Sequence, residues 1–409
     1  MTTIRTIGII TSGGDCGGLN AVIKGASLMA ASLGWEVCLI PNGYAGLYNL
    51  VDQDRVVKLN SHETDSINAH LAGSVAGHSR VNISQIKNPG KYQRIKAGLE
   101  KFKINGLVIA GGDDTGSVLV DLCNNGIPCV HVPKTMDLDL HTYSVGGDSS
   151  INRMAKYIEE IKTTGRTHNR IMIIEVFGRY TGHSAFRGGV AGEADCILIP
   201  EIDVDFDEVY KHLKRRFMQR IRESETHNGT YTIVVNEGIS DGTGIWTSDH
   251  SVKTDSFGHK KLGGSGKYVR QRLTQYLKAD EEIKEFYKEM GLYIEEMNPL
   301  PEIREIVPGY LSRSGYSSAC DINFGKDAGA GASLLLSLGI NGVTVTGVHE
   351  GEIRYMETEH AIKQRTVNLR TVSFYEAMGI CFGRKPVEYK PESALVDSTV
   401  SGTISPYNY

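Results

Sequence analysis

No two of the seven cysteines (Cys16, Cys38, Cys123, Cys129, Cys196, Cys320, Cys381) form a Cys-x-x-Cys pair. That excludes the usual zinc-binding spacing, and the odd, dispersed set reads as the reduced thiols of a cytoplasmic protein. There is no basic excess, since the formal net charge is -4, so no nucleic-acid partner is expected. No apolar run approaches the ~20 residues needed to span a bilayer, so no membrane segment is expected. The opening residues Met1–Asp15 lack a signal-peptide pattern. The chain also lacks a Walker-type Gly-Lys-Ser/Thr ending to any glycine loop, so it has no P-loop.

What remains is ordinary soluble composition, 40% hydrophobic and 22% charged over 409 residues. That length exceeds one small core and fits one large or two medium α/β lobes. Short apolar runs alternate with helical spacing. Strands are expected at Ile7–Thr11, Trp35–Ile40, Gly106–Ala110, Pro128–Val132, Arg170–Val176, Cys196–Ile199 and Thr232–Val235. Helices are expected at Asn20–Leu33, Asp114–Asn124, Ser149–Thr163, Phe206–Ser224 and, as one long charged helix, Lys267–Met290. Such alternation predicts mainly parallel sheet flanked by helices, with ligands at the C-terminal strand ends. Gly238–Gly266 reads as a polar surface insertion, and residues after about 385 as a surface tail.

Three strand-end loops carry chemistry. Thr11–Asn20 is glycine-rich between a strand and a helix. It is either a phosphate cradle, through Gly13 and Gly14, or a tight turn without a ligand. Gly111-Gly112-Asp113-Asp114-Thr115 puts two carboxylates at a strand end. They either meet a cation, for which magnesium is the natural choice, or Asp113 caps the helix. Pro133-Lys134-Thr135-Met136-Asp137-Leu138-Asp139 offers a cation, a hydroxyl and two carboxylates, the parts that phosphoryl transfer requires, or else is a solvated charged loop. Arg80, Arg170, Arg179, Arg304 and Arg313 are candidate phosphate ligands or ordinary surface ion-pair partners.

Taken in order, the stretches TSGGDCGGLNAVI, GGDDT, PKTMDLD, TYSVGGDSSIN, RIMIIEVFGRYTGH, ILIPE, VVNEG and REIVPGYLSRSG resemble the phosphofructokinase family, over roughly residues 5–385. The resemblance implies two α/β lobes with the active site in the cleft. Residues 1–148 with roughly 312–384 would hold the phosphoryl donor, roughly 149–311 the sugar phosphate, and 385–409 would be a tail. It implies that Gly13, Gly14 and Arg80, which ends the stretch GSVAGHSR, contact the donor. Asp113 looks like the magnesium-site aspartate, with Asp139 as the second carboxylate. Asp137 looks like the base for the sugar hydroxyl. Thr135 and Arg179 resemble groups that stabilise the transferring phosphoryl group. Glu237 resembles a ligand of the sugar hydroxyls, with Phe177 and Gly178 beside it. Arg170, Arg304, Tyr310 and Arg313 match positions that hold the sugar 6-phosphate. In the family, Arg170 and Arg304 come from a neighbouring subunit, so a homo-oligomer with shared sites is expected.

ATP-using members resemble GGDGS and PGT at the second and third loops. Here Asp114 and Lys134 replace glycines, the pattern of pyrophosphate-using members. Asp114 adds negative charge where a nucleotide α-phosphate would lie, and Lys134 adds a cation suited to pyrophosphate. The expected reaction is therefore reversible, magnesium-dependent transfer from pyrophosphate to fructose 6-phosphate. Three departures stand out. Leu138 replaces a polar Asn, losing hydrogen-bonding capacity beside the base. Phe177 replaces a smaller Met. Cys16-Gly17 replaces Ala-Pro, which predicts a looser loop; a lowered Cys16 pKa and a bland small-residue role are both open there. The competing functions are an ATP-dependent phosphofructokinase, an NAD or lipid kinase, and a silent paralogue that senses sugar phosphates.

Overall fold

The computed structural model describes residues 5–244 and 262–394. Two sheets organise them. The first has seven strands in the order β11-β10-β5-β4-β1-β2-β3. These are β1 (Thr6–Thr11), β2 (Glu36–Leu39), β3 (Val57–Lys58), β4 (Gly106–Gly111), β5 (Cys129–Pro133), β10 (Val343–His349) and β11 (Glu352–Glu357). The second has four, β7-β8-β6-β9: β6 (Arg170–Val176), β7 (Cys196–Leu198), β8 (Tyr231–Asn236) and β9 (Glu302–Ile306). The second sheet is parallel throughout; in the first, only β3 and β11 pair antiparallel, one at each edge.

Central strands β1, β4 and β8 are buried along their whole length, as their Ile, Val and Leu runs require when helices cover both faces. The edges are unlike them: β11 exposes Glu352, Arg354, Tyr355 and Glu357, and β3 is two exposed residues, which blunts further pairing. One core runs through both sheets, from Val108 and Ala110 to Ile174, Val176 and Ile197. The helices Leu19–Ser32 and Ala319–Ser337 lie against the first sheet, packed where Gly329 meets the Val22 carbonyl.

The chain leaves the first sheet before its end. Helix Leu369–Ala377 and residues to Phe382 turn to the second sheet, where the Cys381 backbone pairs in parallel with that of Cys196, both thiols being free, and Tyr375 and Phe382 pack on Phe186. The span expected on the donor side, roughly 312–384, is thus shared between the sheets. The expected single helix Lys267–Met290 is two, Ser265–Ala279 and Glu281–Glu289. Asp280 breaks it: its backbone is extended (φ -100°, ψ 99°) and its side chain accepts from the amides of Glu282 and Ile283, capping the second helix. Of the expected insertion Gly238–Gly266, residues 245–261 lie outside the described residues, as do 395–409 of the tail; residues 385–394 have no regular element. Among the described residues no helix is long and apolar enough to cross a membrane.

Candidate active site

In the first sheet the chain goes from β1 to β2 on one side and then returns to place β4 on the other. A crevice therefore opens at the C-terminal ends of β1, β4 and β5, at the point where the strand order reverses. The three loops predicted to carry chemistry follow these three strands. They meet Arg179 and Arg313 in a cleft lined by Gly13, Gly14, Arg80, Asp113, Asp114, Lys134, Thr135, Asp137 and Asp139, together with Gly112, Thr115, Met136 and Gln364.

The glycine loop is held on all sides. Ser12 donates its amide to the Ala110 carbonyl (2.9 Å), and His78 Nδ1 lies 3.0 Å from the Gly13 carbonyl oxygen. Burial pushes the His78 imidazole down to about 4, so it is neutral near pH 7. Lys134 Nζ donates to the Gly14 carbonyl at 2.5 Å. Burial lowers the Lys134 pKa, and its ammonium is surrounded by the loop that it binds. Gly14 leaves the space that Arg313 fills: a Cβ there would lie 2.1 Å from Arg313 Nη1. Gly17 does not loosen the loop as expected, because a Cβ on it would lie 2.4 Å from Ser149 Oγ; the loop is tight there. Of the two readings of Cys16 the bland one stands, since full burial drives its thiol up to about 12.

The carboxylates follow. Asp113 begins the helix Asp113–Asn124 rather than capping it; the cap position is Gly112, and Asp113 Oδ1 accepts the Asp114 amide at 2.8 Å. Thr135 Oγ1 donates to Asp139 Oδ1 (3.3 Å) and accepts the Asp137 amide (3.1 Å), which folds the loop back on itself. Burial, followed by repulsion from Asp137 and Asp113, pushes Asp139 up to about 7. Asp137 Oδ1 is buried and has no hydrogen-bond partner among the described residues. Gln364 Nε2 donates to Asp113 Oδ2 (3.2 Å) and Asp139 Oδ2 (3.4 Å), linking two of the loops.

Leu138, between the two aspartates, sits in the left-handed region (φ 57°) and is buried. A polar Asn tolerates that conformation more readily than Leu does. The Leu side chain is instead accommodated by Gly147, where a Cβ would come within 2.1 Å of Leu138 Cδ2. The lost side-chain polarity is offset by apolar packing.

The second sheet faces the same cleft. Phe177-Gly178-Arg179 follow β6, and Glu237 follows its neighbour β8. Glu237 Oε1 accepts the amides of Gly178 (3.3 Å) and Arg179 (3.0 Å). Burial, with the Asp137 charge next, pushes Glu237 up to about 7. Phe177 packs edge-on against Tyr310 (5.7 Å between ring centres) and lies under the Arg313 guanidinium (5.5 Å). Tyr310 itself is 73% exposed. Arg170 and Arg304 are elsewhere. Arg170 begins β6 at the opposite end from Arg179, roughly 20 Å away at the rise of a strand. Both arginines pair with Glu302 of the same chain.

Hard oxygen donors facing one another, one of them driven towards protonation by burial and then by its neighbours, suit a divalent cation such as magnesium. Among the described residues no three His, Cys, Asp or Glu side chains are arranged to hold a metal by themselves. Motif reading singled out neither Gln364 nor His78. His78 lies in the same stretch as Arg80, so its proximity was available; Gln364 has no motif to announce it.

The model of the family described as Phosphofructokinase matches residues 6–336. A pyrophosphate–fructose 6-phosphate 1-phosphotransferase of Dictyoglomus thermophilum is 28% identical, over 92% of this chain and 99% of its own. An ATP-dependent 6-phosphofructokinase of Corynebacterium efficiens is 31% identical, over 91% of this chain and 93% of its own. A crystal structure of a pyrophosphate-dependent phosphofructokinase from Marinobacter aquaeolei shares the fold with a TM-score of 0.67, at 18% identity, over 96% of this chain and 100% of that one.

Proposed function

The chain belongs to the phosphofructokinase family, and from that premise we propose that it transfers a phosphoryl group from pyrophosphate to O1 of fructose 6-phosphate. The products are fructose 1,6-bisphosphate and phosphate, and the reaction runs in both directions. The observation that carries the donor choice is the pairing of Asp114 with the buried Lys134 in one cleft. The lysine ammonium beside Gly14 is a compact cation against the glycine loop, suited to a small, dense anion. Asp114 places negative charge where a longer polyphosphate would continue. A specific observation favours ATP as the second reading: a cavity of about 380 Å³ runs on past Gly13 and Gly14 along His78, Ser79 and Arg80, with room for a nucleoside.

In this mechanism the unpartnered Oδ1 of Asp137 takes the proton from the sugar C1 hydroxyl. The sugar oxygen bonds to the terminal phosphorus as the bridging P–O bond breaks, and the electron pair leaves on phosphate. Lys134, Thr135, Arg179 and Arg80 stabilise the charge on the equatorial and leaving oxygens. Asp113 and Asp139 would hold a magnesium ion that neutralises phosphate charge when bound. Glu237 and the Phe177-Gly178 turn receive the sugar, and Arg313 with Tyr310 its 6-phosphate. Arg170 and Arg304 act on a neighbouring subunit's site, which makes the active form a homo-oligomer. The donor lobe is assigned to residues 1–148 with part of 312–384, and the sugar lobe to about 149–311.

The test is an assay of the purified protein with magnesium and fructose 6-phosphate, with pyrophosphate or ATP as donor, scored for fructose 1,6-bisphosphate. Product with pyrophosphate alone is expected. Product with ATP alone overturns the donor choice and keeps the family. Product with neither rejects the proposed reaction and favours another sugar phosphate as acceptor or the silent paralogue.

A further inference from the structure

Beyond Ala361 the chain crosses the carboxylate loop as a strap, past the end of the family-matched residues. Gln364 bridges Leu140 in antiparallel register. Arg365 donates its amide to the Asp139 carbonyl (2.8 Å) and its Nε to the Leu138 carbonyl (3.0 Å). Farther on, Glu201 of the second-sheet half accepts the Val367 amide (2.9 Å) and the Gly182 amide (3.0 Å). The strap therefore pins the strained Asp137–Leu138–Asp139 turn from above and ties it to the other half of the cleft.

Within that strap we infer that Gln364 is a positioning residue which occupies the cation's place between Asp113 and Asp139 when no cation is bound. This rests on the reading of those two aspartates as the magnesium ligands. A carboxamide presents two N–H donors and no net charge. Aimed at Asp113 Oδ2 and Asp139 Oδ2, it offsets part of their mutual repulsion and holds them at a fixed spacing. A cation entering between the carboxylates must displace those donors, or turn the amide so that its oxygen faces the metal. Gln364 thereby weakens cation binding while keeping the two loops in register between turnovers. Its side chain is exposed, so substitution there leaves the core untouched.

The test measures Mn²⁺ binding to the purified full-length protein without substrate, from the electron paramagnetic resonance of unbound Mn²⁺. Manganese is used because it takes the same hard oxygen ligands as magnesium. Gln364→Ala and Gln364→Leu, which remove the donors at two different volumes, are expected to bind Mn²⁺ about 3- to 30-fold more tightly than the unchanged protein. Asp113→Asn is expected to bind more weakly. If Asp113→Asn weakens binding while both Gln364 variants bind no more tightly, the placeholder role fails and the metal assignment stands. If Asp113→Asn leaves binding unchanged, or no protein shows a saturable site, the metal assignment fails and takes this inference with it. The phosphoryl-transfer assay is separate and reports on the reaction itself.

Discussion

Gly14 and Arg313 are complementary: the guanidinium occupies the volume that a side chain at Gly14 would need, 2.1 Å from the absent Cβ. The nearest atom is the far end of a long side chain, so Gly14→Ala displaces the arginine rather than the backbone. If Arg313 grips the sugar 6-phosphate, KM for fructose 6-phosphate rises by about 10- to 100-fold, the worth of one charged hydrogen-bonding group. The melting temperature changes little. Steady-state kinetics beside a thermal melt checks both.

Asp137→Asn removes the base and keeps the shape. Turnover is expected to fall by about 10²- to 10⁴-fold with KM nearly unchanged, because the proton is taken only in the transition state. Turnover within tenfold of the unchanged enzyme would reject Asp137 as the base.

Asp114→Gly removes negative charge from the donor end of the cleft while Lys134 stays. ATP-dependent activity is expected to rise relative to pyrophosphate-dependent activity, read as a ratio of kcat/KM values. An unchanged ratio removes Asp114 from the account of donor choice.

Glu237 holds its proton up to about 7 in the native protein, against 4.5 for an ordinary Glu. Between those values the native state binds more protons than the unfolded chain, so this residue's contribution to stability falls as pH rises from about 4.5 to about 7. Glu237→Gln abolishes that slope. The unchanged protein should lose stability relative to the variant between about pH 5 and pH 7.5, by at most about 3 kcal/mol. Paired thermal melts at the two pH values measure it, and parallel pH dependences would contradict the burial-driven shift.

Arg304 and Asp137 serve different sites if subunits exchange arginines. Arg304→Ala and Asp137→Asn should each be nearly inactive. Refolding them together in equal amounts should restore about a quarter of full activity, since about half of the dimers are mixed and each of those has one complete site. No recovery would place Arg304 outside the neighbour's site.

The loops were legible because their chemistry is local. A glycine run after a buried strand, or Lys and Asp in a seven-residue stretch, is visible without knowing the fold, and the strand order then brings them together. Gln364 was not legible. It lies more than two hundred residues from Asp113 and Asp139, in a strap without a motif, and only the antiparallel bridge to Leu140 delivers it. The break at Asp280 was hidden for the opposite reason: helical spacing continues across it, and only the extended backbone reveals a cap. The tightness at Gly17 depends on Ser149, a partner on another helix that no local pattern names.

Leu138 and Gly147 have an evolutionary consequence. Any side chain at 147 meets Leu138 Cδ2, while a smaller residue at 138 leaves a void between the carboxylates of Asp137 and Asp139. Neither position can drift alone without cost, so the two are expected to change as a pair. A variant that took Asn at 138 while keeping Gly147 would carry a hole beneath its base. The neighbourhood of Asp137 therefore carries a mutational lock, set by packing rather than by chemistry.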